Sequence, residues 1–156
     1  NMRLKKAIIL SFFLGSMLAN AQKVLAVYKL GDLLKRIEPA DTTYVVNFWA
    51  TWCKPCVQEL PAFDSLTTEN KKLKVLLVCL DFKEEIDKKV NPFLLKKNIK
   101  TECVLLDEIN GNDYIDRISK QWSGAIPATL IKKGSYKKLV EKKMNLSELR
   151  FHTSQQ

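Results

Sequence analysis

The segment Thr43-Tyr-Val-Val-Asn-Phe-Trp49 constrains this chain more than any other. It is β-branched and aromatic almost throughout and nearly continuous in apolar character, so a strand here must be covered on both faces. Helices on both sides of a sheet provide that cover. Shortly after Trp49 comes Cys53-Lys54-Pro55-Cys56, and Val57, Leu60, Phe63 and Leu66 then recur every three residues. The spacing predicts a helix opened by Pro55 and running to about Asn70, bent or weakened at Pro61. A Cys-x-x-Cys motif therefore stands where a buried strand hands over to a helix.

The alternation continues along the chain. Tyr28 to Ile37 carries Leu30, Leu33, Leu34 and Ile37 on one helical face, with Pro39 just beyond. Leu73 to Leu80 reads as a second buried strand ended by Asp81, and Glu84 to Ile99 as a helix interrupted around Asn91-Pro92. Cys103 to Leu106 makes a short strand, and Tyr114 to Trp122 a helix with Tyr114, Ile115, Ile118 and Trp122 facing inward. Ala128 to Ile131 and Tyr136 to Val140 form a closing hairpin about Gly134-Ser135, with Lys137, Lys138, Lys142 and Lys143 guarding an exposed edge. Asn145 caps a last short helix through Leu149, which also explains its place in an Asn-Leu-Ser sequon. The expected class is α/β, a central mixed sheet flanked by helices.

A chain of 156 residues with 46% hydrophobic positions holds one globular domain, with room for a targeting segment. Arg3, Lys5 and Lys6 precede an apolar run from Ala7 to Leu18, and Ala19-Asn20-Ala21 sets small residues at a cleavage spacing. Residues 1–21 read as a secretory signal and 22–156 as the domain. An uncleaved anchor is the alternative, but the run is short of the roughly 20 residues that span a bilayer. Loss of three basic residues would lower the formal charge from +9 to +6. The lysine pairs, among them Lys132-Lys133, lie mostly beside acids without interleaved aromatics, a solvated face rather than a nucleic-acid surface. The one histidine, His152, argues against a His-rich metal centre or a Ser-His-Asp hydrolase and sits in what reads as a solvated tail.

At a helix start, unsatisfied N–H groups and the helix dipole favour an anion, so Cys53 can ionise below the free thiol value of about 8.5. Lys54 adds positive charge, and Pro55 fits a first turn that needs no N–H. Three positions of separation bring both sulfurs into disulfide range. A zinc site would need two more ligands, and Cys79 and Cys103 lie singly in apolar strands. A purely structural bridge across so short a loop restrains little of the unfolded chain. Redox exchange is the reading left with most support, and it needs no cofactor.

The run Val46-Asn-Phe-Trp-Ala-Thr-Trp-Cys-Lys-Pro-Cys56, followed by Glu59-Leu60-Pro61, resembles the active-site signature of thioredoxin-fold thiol-disulfide oxidoreductases, in particular the exported TlpA/ResA type. Gly124-Ala-Ile-Pro-Ala-Thr129 independently resembles that family's cis-proline loop. The resemblance covers roughly residues 28–145 and implies a thioredoxin-like fold with an inserted helix-strand unit near Glu84 to Leu106. It implies that Cys53 is the exposed nucleophile, Cys56 the buried resolving thiol, and Pro127 the loop proline that keeps backbone close to the sulfurs. Ile126 would pair main chain with a client segment. Trp52 would flank the nucleophile as a contact surface or pack beneath the loop as a support. Asn47 stands where cytoplasmic thioredoxins have a buried aspartate, and Glu59 fits the place of the TlpA/ResA acid-base glutamate or is an ordinary surface residue. Cys79 and Cys103 fall on strands that the fold would set side by side, either as inert buried thiols or as a second disulfide.

The function so implied is an exported, periplasmic reductant of client-protein disulfides, with apocytochrome c cysteines among possible targets and a membrane thiol carrier as electron donor. Two other classes remain open at this point. A copper-handling protein on the same fold would need a ligand besides Cys53 and Cys56, with only His152 to offer. A non-catalytic adaptor would carry the motif without exchange.

Overall fold

A computed structural model describes residues 23–156. The secretory signal read at residues 1–21 lies outside the described residues. Among the described residues, no helix is long and apolar enough to cross a membrane.

The elements run β1 (Val27–Tyr28), α1 (Leu30–Arg36), β2 (Thr43–Trp49), α2 (Lys54–Glu69), β3 (Leu73–Cys79), α3 (Asn91–Lys96), β4 (Cys103–Leu106), α4 (Ile115–Ile118), β5 (Ala128–Lys133), β6 (Tyr136–Val140) and α5 (Leu146–Thr153). The strands form one mixed sheet in the order β1-β4-β3-β2-β5-β6. β1, β4, β3 and β2 are parallel, while β5 and β6 are antiparallel additions beside β2. Every residue of β2 is buried, because parallel β3 takes one edge, antiparallel β5 the other, and helices cover both faces. Side chains alternate accordingly. Val45 and Trp49 join Leu60, Phe63 and Leu66 of α2 in one core layer, while Tyr44, Val46 and Phe48 join Leu30, Leu33, Ile118 and Trp122 in the other.

α2 runs unbroken through Pro61. The expected insert is present between β3 and β4, but its helix is piecewise. A 3-10 turn (Lys83–Glu85) and a π turn (Ile86–Val90) lead into α3, where Pro92 lies in the first turn and needs no helical N–H.

Three elements differ from expectation. Tyr28 does not begin a helix but ends β1, which pairs with β4 through Val27↔Leu105 and Tyr28↔Leu106; α1 starts two residues later. A two-residue strand has no periodicity to read, and long-range pairing claims it. The helix expected over Tyr114 to Trp122 is a single turn, Ile115–Ile118, after which Ser119 is extended. Trp122 still reaches the core, its ring 4.6 Å from Phe48 and 5.8 Å from Tyr114. α5 continues past Leu149 to Thr153, begun by a reciprocal cap in which Asn145 Oδ1 accepts from Glu148 N and Glu148 Oε2 accepts from Asn145 N.

His152 is consequently half-buried on α5 instead of in a solvated tail. Lys132 is buried as well, its Nζ donating to the Glu38 carbonyl, whereas Lys133 is exposed. The hairpin turn is as expected, with Gly134 at φ +55°, a left-handed conformation that suits glycine.

Phe63 is fully buried between α2 and the sheet. Phe63→Ala should lower stability by about 3–5 kcal/mol, measured as the shift in urea midpoint at unchanged slope.

Candidate active site

β2 ends at Trp49, and the chain passes over Ala50, Thr51 and Trp52 before entering α2. This crossing is held from below. Asp81, buried at the end of β3, accepts from Thr51 N at 2.8 Å and from Thr51 Oγ1 at 2.6 Å. Lys89 Nζ lies 3.8 Å from the same carboxylate. The parallel register Trp49↔Cys79 continues past the strands, since Leu80 N donates to the Trp49 carbonyl. The sequence marked Asp81 only as a strand terminator. An acid directly after an apolar strand was its one visible signal.

Cys53 is the N-cap residue of α2, with backbone φ −88° and ψ 98°, and its Sγ accepts from Cys56 N at 3.3 Å. Its sulfur thus occupies the place an oxygen takes at an ordinary cap. Cys53 and Cys56 are joined by a disulfide, with Cα atoms 5.3 Å apart. Cys53 is 6% exposed and Cys56 wholly buried. The expected order of accessibility holds, but Cys53 is recessed where an exposed sulfur was expected. The loop before β5 lies against it. Trp52 stands clear of the core at 65% exposure, so the support reading of its ring does not hold.

The Ile126–Pro127 peptide is cis, and the Ile126 carbonyl lies 3.8 Å from Cys53 Sγ. Trp122 Nε1 donates to the Ala125 carbonyl at 2.9 Å, and Ser123 N donates to Glu141 Oε1 at 2.7 Å. Gly124 sits at φ +91°, and a Cβ there would meet Ile115 Cδ1 at 2.8 Å. Only glycine meets both conditions without strain. Trp122 and Glu141 are supports that sequence reading did not single out for the site, because their partners are loop carbonyls and amides.

Glu59 is not a surface residue. It is 2% exposed, on the same face of α2 as Cys56 and three positions further along. Its Oε1 accepts from Asn47 Nδ2 at 2.7 Å and its Oε2 from Met144 N at 2.8 Å. Asn47 is the polar member of β2 on the α2 face, between Val45 and Trp49, and Nδ2 also reaches Thr129 Oγ1 at 3.2 Å. Burial pushes the Glu59 carboxyl up from an ordinary 4.5 to about 7, against smaller downward pulls from the Met144 amide, Asn47 and the Lys143 charge.

Cys79 and Cys103 are free, buried thiols. Cys79 is paired with Leu105 and Cys103 with Leu77, which offsets the two sulfurs along adjacent strands. Cys79 Sγ donates to Asp81 Oδ2 at 3.1 Å. Burial pushes both thiols up, Cys103 to about 12. Neither supplies thiolate near neutral pH. His152 lies apart from the sulfurs: Met144 meets α2 at Glu59, Arg150 meets it at Glu69, and His152 follows beyond. Among the described residues no three His, Cys, Asp or Glu side chains are grouped to hold a metal.

A carboxyl that keeps its proton when folded and loses it when unfolded lowers stability as pH rises from 4.5 to about 7, with no further loss above. For Glu59 the fall should be roughly 3 kcal/mol. Urea unfolding at pH 5 and pH 8 should show that part of the pH dependence missing in Glu59→Gln. Equal pH dependence in both proteins would contradict it.

Residues 27–93 match the family model described as Thioredoxin. The thioredoxin-like protein YneN of Bacillus subtilis (strain 168) is 48% identical over 50 residues, which cover 31% of this chain and 29% of that one. The thiol-disulfide oxidoreductase ResA of Bacillus cereus (strain ATCC 10987 / NRS 248) is 38% identical over 55 residues, 35% of this chain and 31% of that one. The matched stretch thus spans about a third of the length of these curated relatives. The crystal structure of a thioredoxin-related protein from Neisseria meningitidis serogroup B superposes with a TM-score of 0.65 at 21% identity, covering 78% of this chain and 87% of that one. The chain has the thioredoxin fold, with the sequence match to the Thioredoxin model confined to residues 27–93.

Proposed function

We propose that the chain is an exported thiol-disulfide oxidoreductase that reduces disulfides of client proteins by cycling Cys53 and Cys56 between dithiol and disulfide. The observation that carries this reading is the asymmetric sulfur pair at the start of α2, with Cys53 beside the Ile126 carbonyl and Cys56 sealed beneath. A 38% identity over 55 residues to a protein named a thiol-disulfide oxidoreductase also supports it.

In the reduced protein, Cys53 thiolate attacks one sulfur of a client disulfide; a mixed disulfide forms and the client's other sulfur leaves as thiolate. Cys56 then gives its proton to the Glu59 carboxylate and attacks Cys53 Sγ. The mixed disulfide breaks, the Cys53–Cys56 bond forms, and the client's second thiolate departs. Two electrons have passed to the client. Its two thiolates take up protons, one returned by Glu59 and one from water. Ile126 and the exposed Trp52 ring offer a client segment main-chain and apolar contacts beside the reacting sulfur. Export is supported by the basic-then-apolar leader before Ala21, and a reductant in an oxidising space draws electrons from a membrane thiol donor. Cytochrome c maturation is one setting for such a client.

Cys53→Ser should reduce insulin disulfides no faster than background, and Cys56→Ser should accumulate mixed disulfides on non-reducing gels. Alkylation of the reduced protein against pH should place the Cys53 midpoint below about 8.5. Retained turnover in Cys53→Ser would overturn the assignment. Equilibration with glutathione fixes the direction, and a potential more oxidising than that couple would overturn the reductant role.

A further inference from the structure

The three buried polar side chains behind the sulfurs form an arrangement that neither strand pairing nor a fixed carboxylate partner accounts for. Antiparallel register sets Asn47 of β2 opposite Thr129 of β5, and α2 lowers Glu59 onto the same spot. Asn47 Nδ2 spends its hydrogens on Glu59 Oε1 and Thr129 Oγ1, while Asn47 Oδ1, fully buried, has no hydrogen-bond partner among the described residues. Buried amide oxygens are ordinarily satisfied. An amide held at both ends is fixed, whereas one held only through its nitrogen loses no bond at its oxygen when it turns about its last bond.

Each oxygen of Glu59 faces a different kind of donor. Met144 N, on Oε2, is backbone and cannot become an acceptor. A proton on the carboxyl is therefore accommodated on Oε1, where it meets the Asn47 amide. As it stands, that amide would point a hydrogen at a hydrogen. Rotated by half a turn, it presents Oδ1 to the carboxylic acid and to Thr129, whose hydroxyl both donates and accepts.

We propose that Asn47 is a positioning residue that follows the proton on Glu59, offering Nδ2 to the carboxylate and Oδ1 to the acid, while the Thr129 hydroxyl reverses from acceptor to donor. Either orientation makes two hydrogen bonds, leaving Oδ1 spare in the first and Nδ2 in the second, so each protonation state of Glu59 keeps a partner on Oε1. This rests on the Glu59 proton transfer proposed above and adds to it the device that makes the transfer reversible in a dry site. The groups around it suit that task. β2 and β5 present the neutral Asn47 and Thr129, α2 presents Cys56, and the segment before α5 presents the Lys143 charge.

The test uses the oxidised full chain and needs no exchange activity, so its failure is separable from failure of the enzyme assignment. Nuclear magnetic resonance should follow the Glu59 side-chain carbon and the Asn47 side-chain amide together from pH 5 to pH 9. The expected result is one shared midpoint, with the Asn47 amide hydrogens hydrogen-bonded above it and released below it, and no such change in Glu59→Gln. In Asn47→Ala both protonation states lose one bond, so the Glu59 midpoint should move by less than about half a pH unit. A hydrogen-bonded Asn47 amide that persists through the Glu59 transition in the unmutated protein would overturn the proposal. So would a rise of a full pH unit or more in Asn47→Ala, the signature of a fixed donor to the carboxylate.

Discussion

β2 is enclosed on all four sides, by parallel β3, antiparallel β5 and a helical layer on each face, and this enclosure sets the position of every group at the site. A strand so held has no freedom of register, because a slip by one residue would exchange Val45 and Trp49 with Val46 and Phe48 and mismatch both core layers. Its end is therefore a fixed point. Cys53 is delivered to the start of α2 from there, and the Asp81 clasp on Thr51 keeps the crossing loop at one height above the sheet. The loop before β5 is placed by the same constraint through the pairing of Phe48 with Ala128.

Polar groups inside this framework are few, and four of them, Asn47, Glu59, Asp81 and Thr129, are tied to the site. Asp81 supports the loop that carries Trp52, and Asn47, Glu59 and Thr129 lie together behind the sulfurs. Burying such groups costs free energy unless they find partners. Three elements that are distant in sequence supply those partners here. The Asn47 oxygen is the one member of the cluster left unmatched.

The two pairs of cysteines show how position governs sulfur chemistry. Cys53 receives a backbone N–H at a helix start and lies beside an accessible loop, whereas Cys79 and Cys103 sit in mid-sheet with carboxylates nearby. Desolvation and like charge both disfavour thiolate in the second setting. The same element thus serves as reagent in one place and as packing in the other.

Much of this was legible in the linear order. Continuous apolar runs identify β2 and β3, three-residue spacing identifies α2, and Cys-x-x-Cys between them places a dithiol at a helix mouth, because local periodicity and capping chemistry depend on near neighbours. β1 was not legible, since two residues become a strand only when β4 lies alongside. The helix expected at Tyr114 to Trp122 gave way because Trp122 is drawn to Phe48 and the Ala125 carbonyl by contacts no local pattern encodes. Sequence alone determined which sulfurs stand at the helix start and that a strand covered on both faces leads to them. Whether Glu59 faces water or a buried amide, and which partners Asn47 and Asp81 keep, only the tertiary structure decided. Those outcomes depend on register between distant strands, and a hydrogen bond inside a core exists only once both of its ends have been brought there.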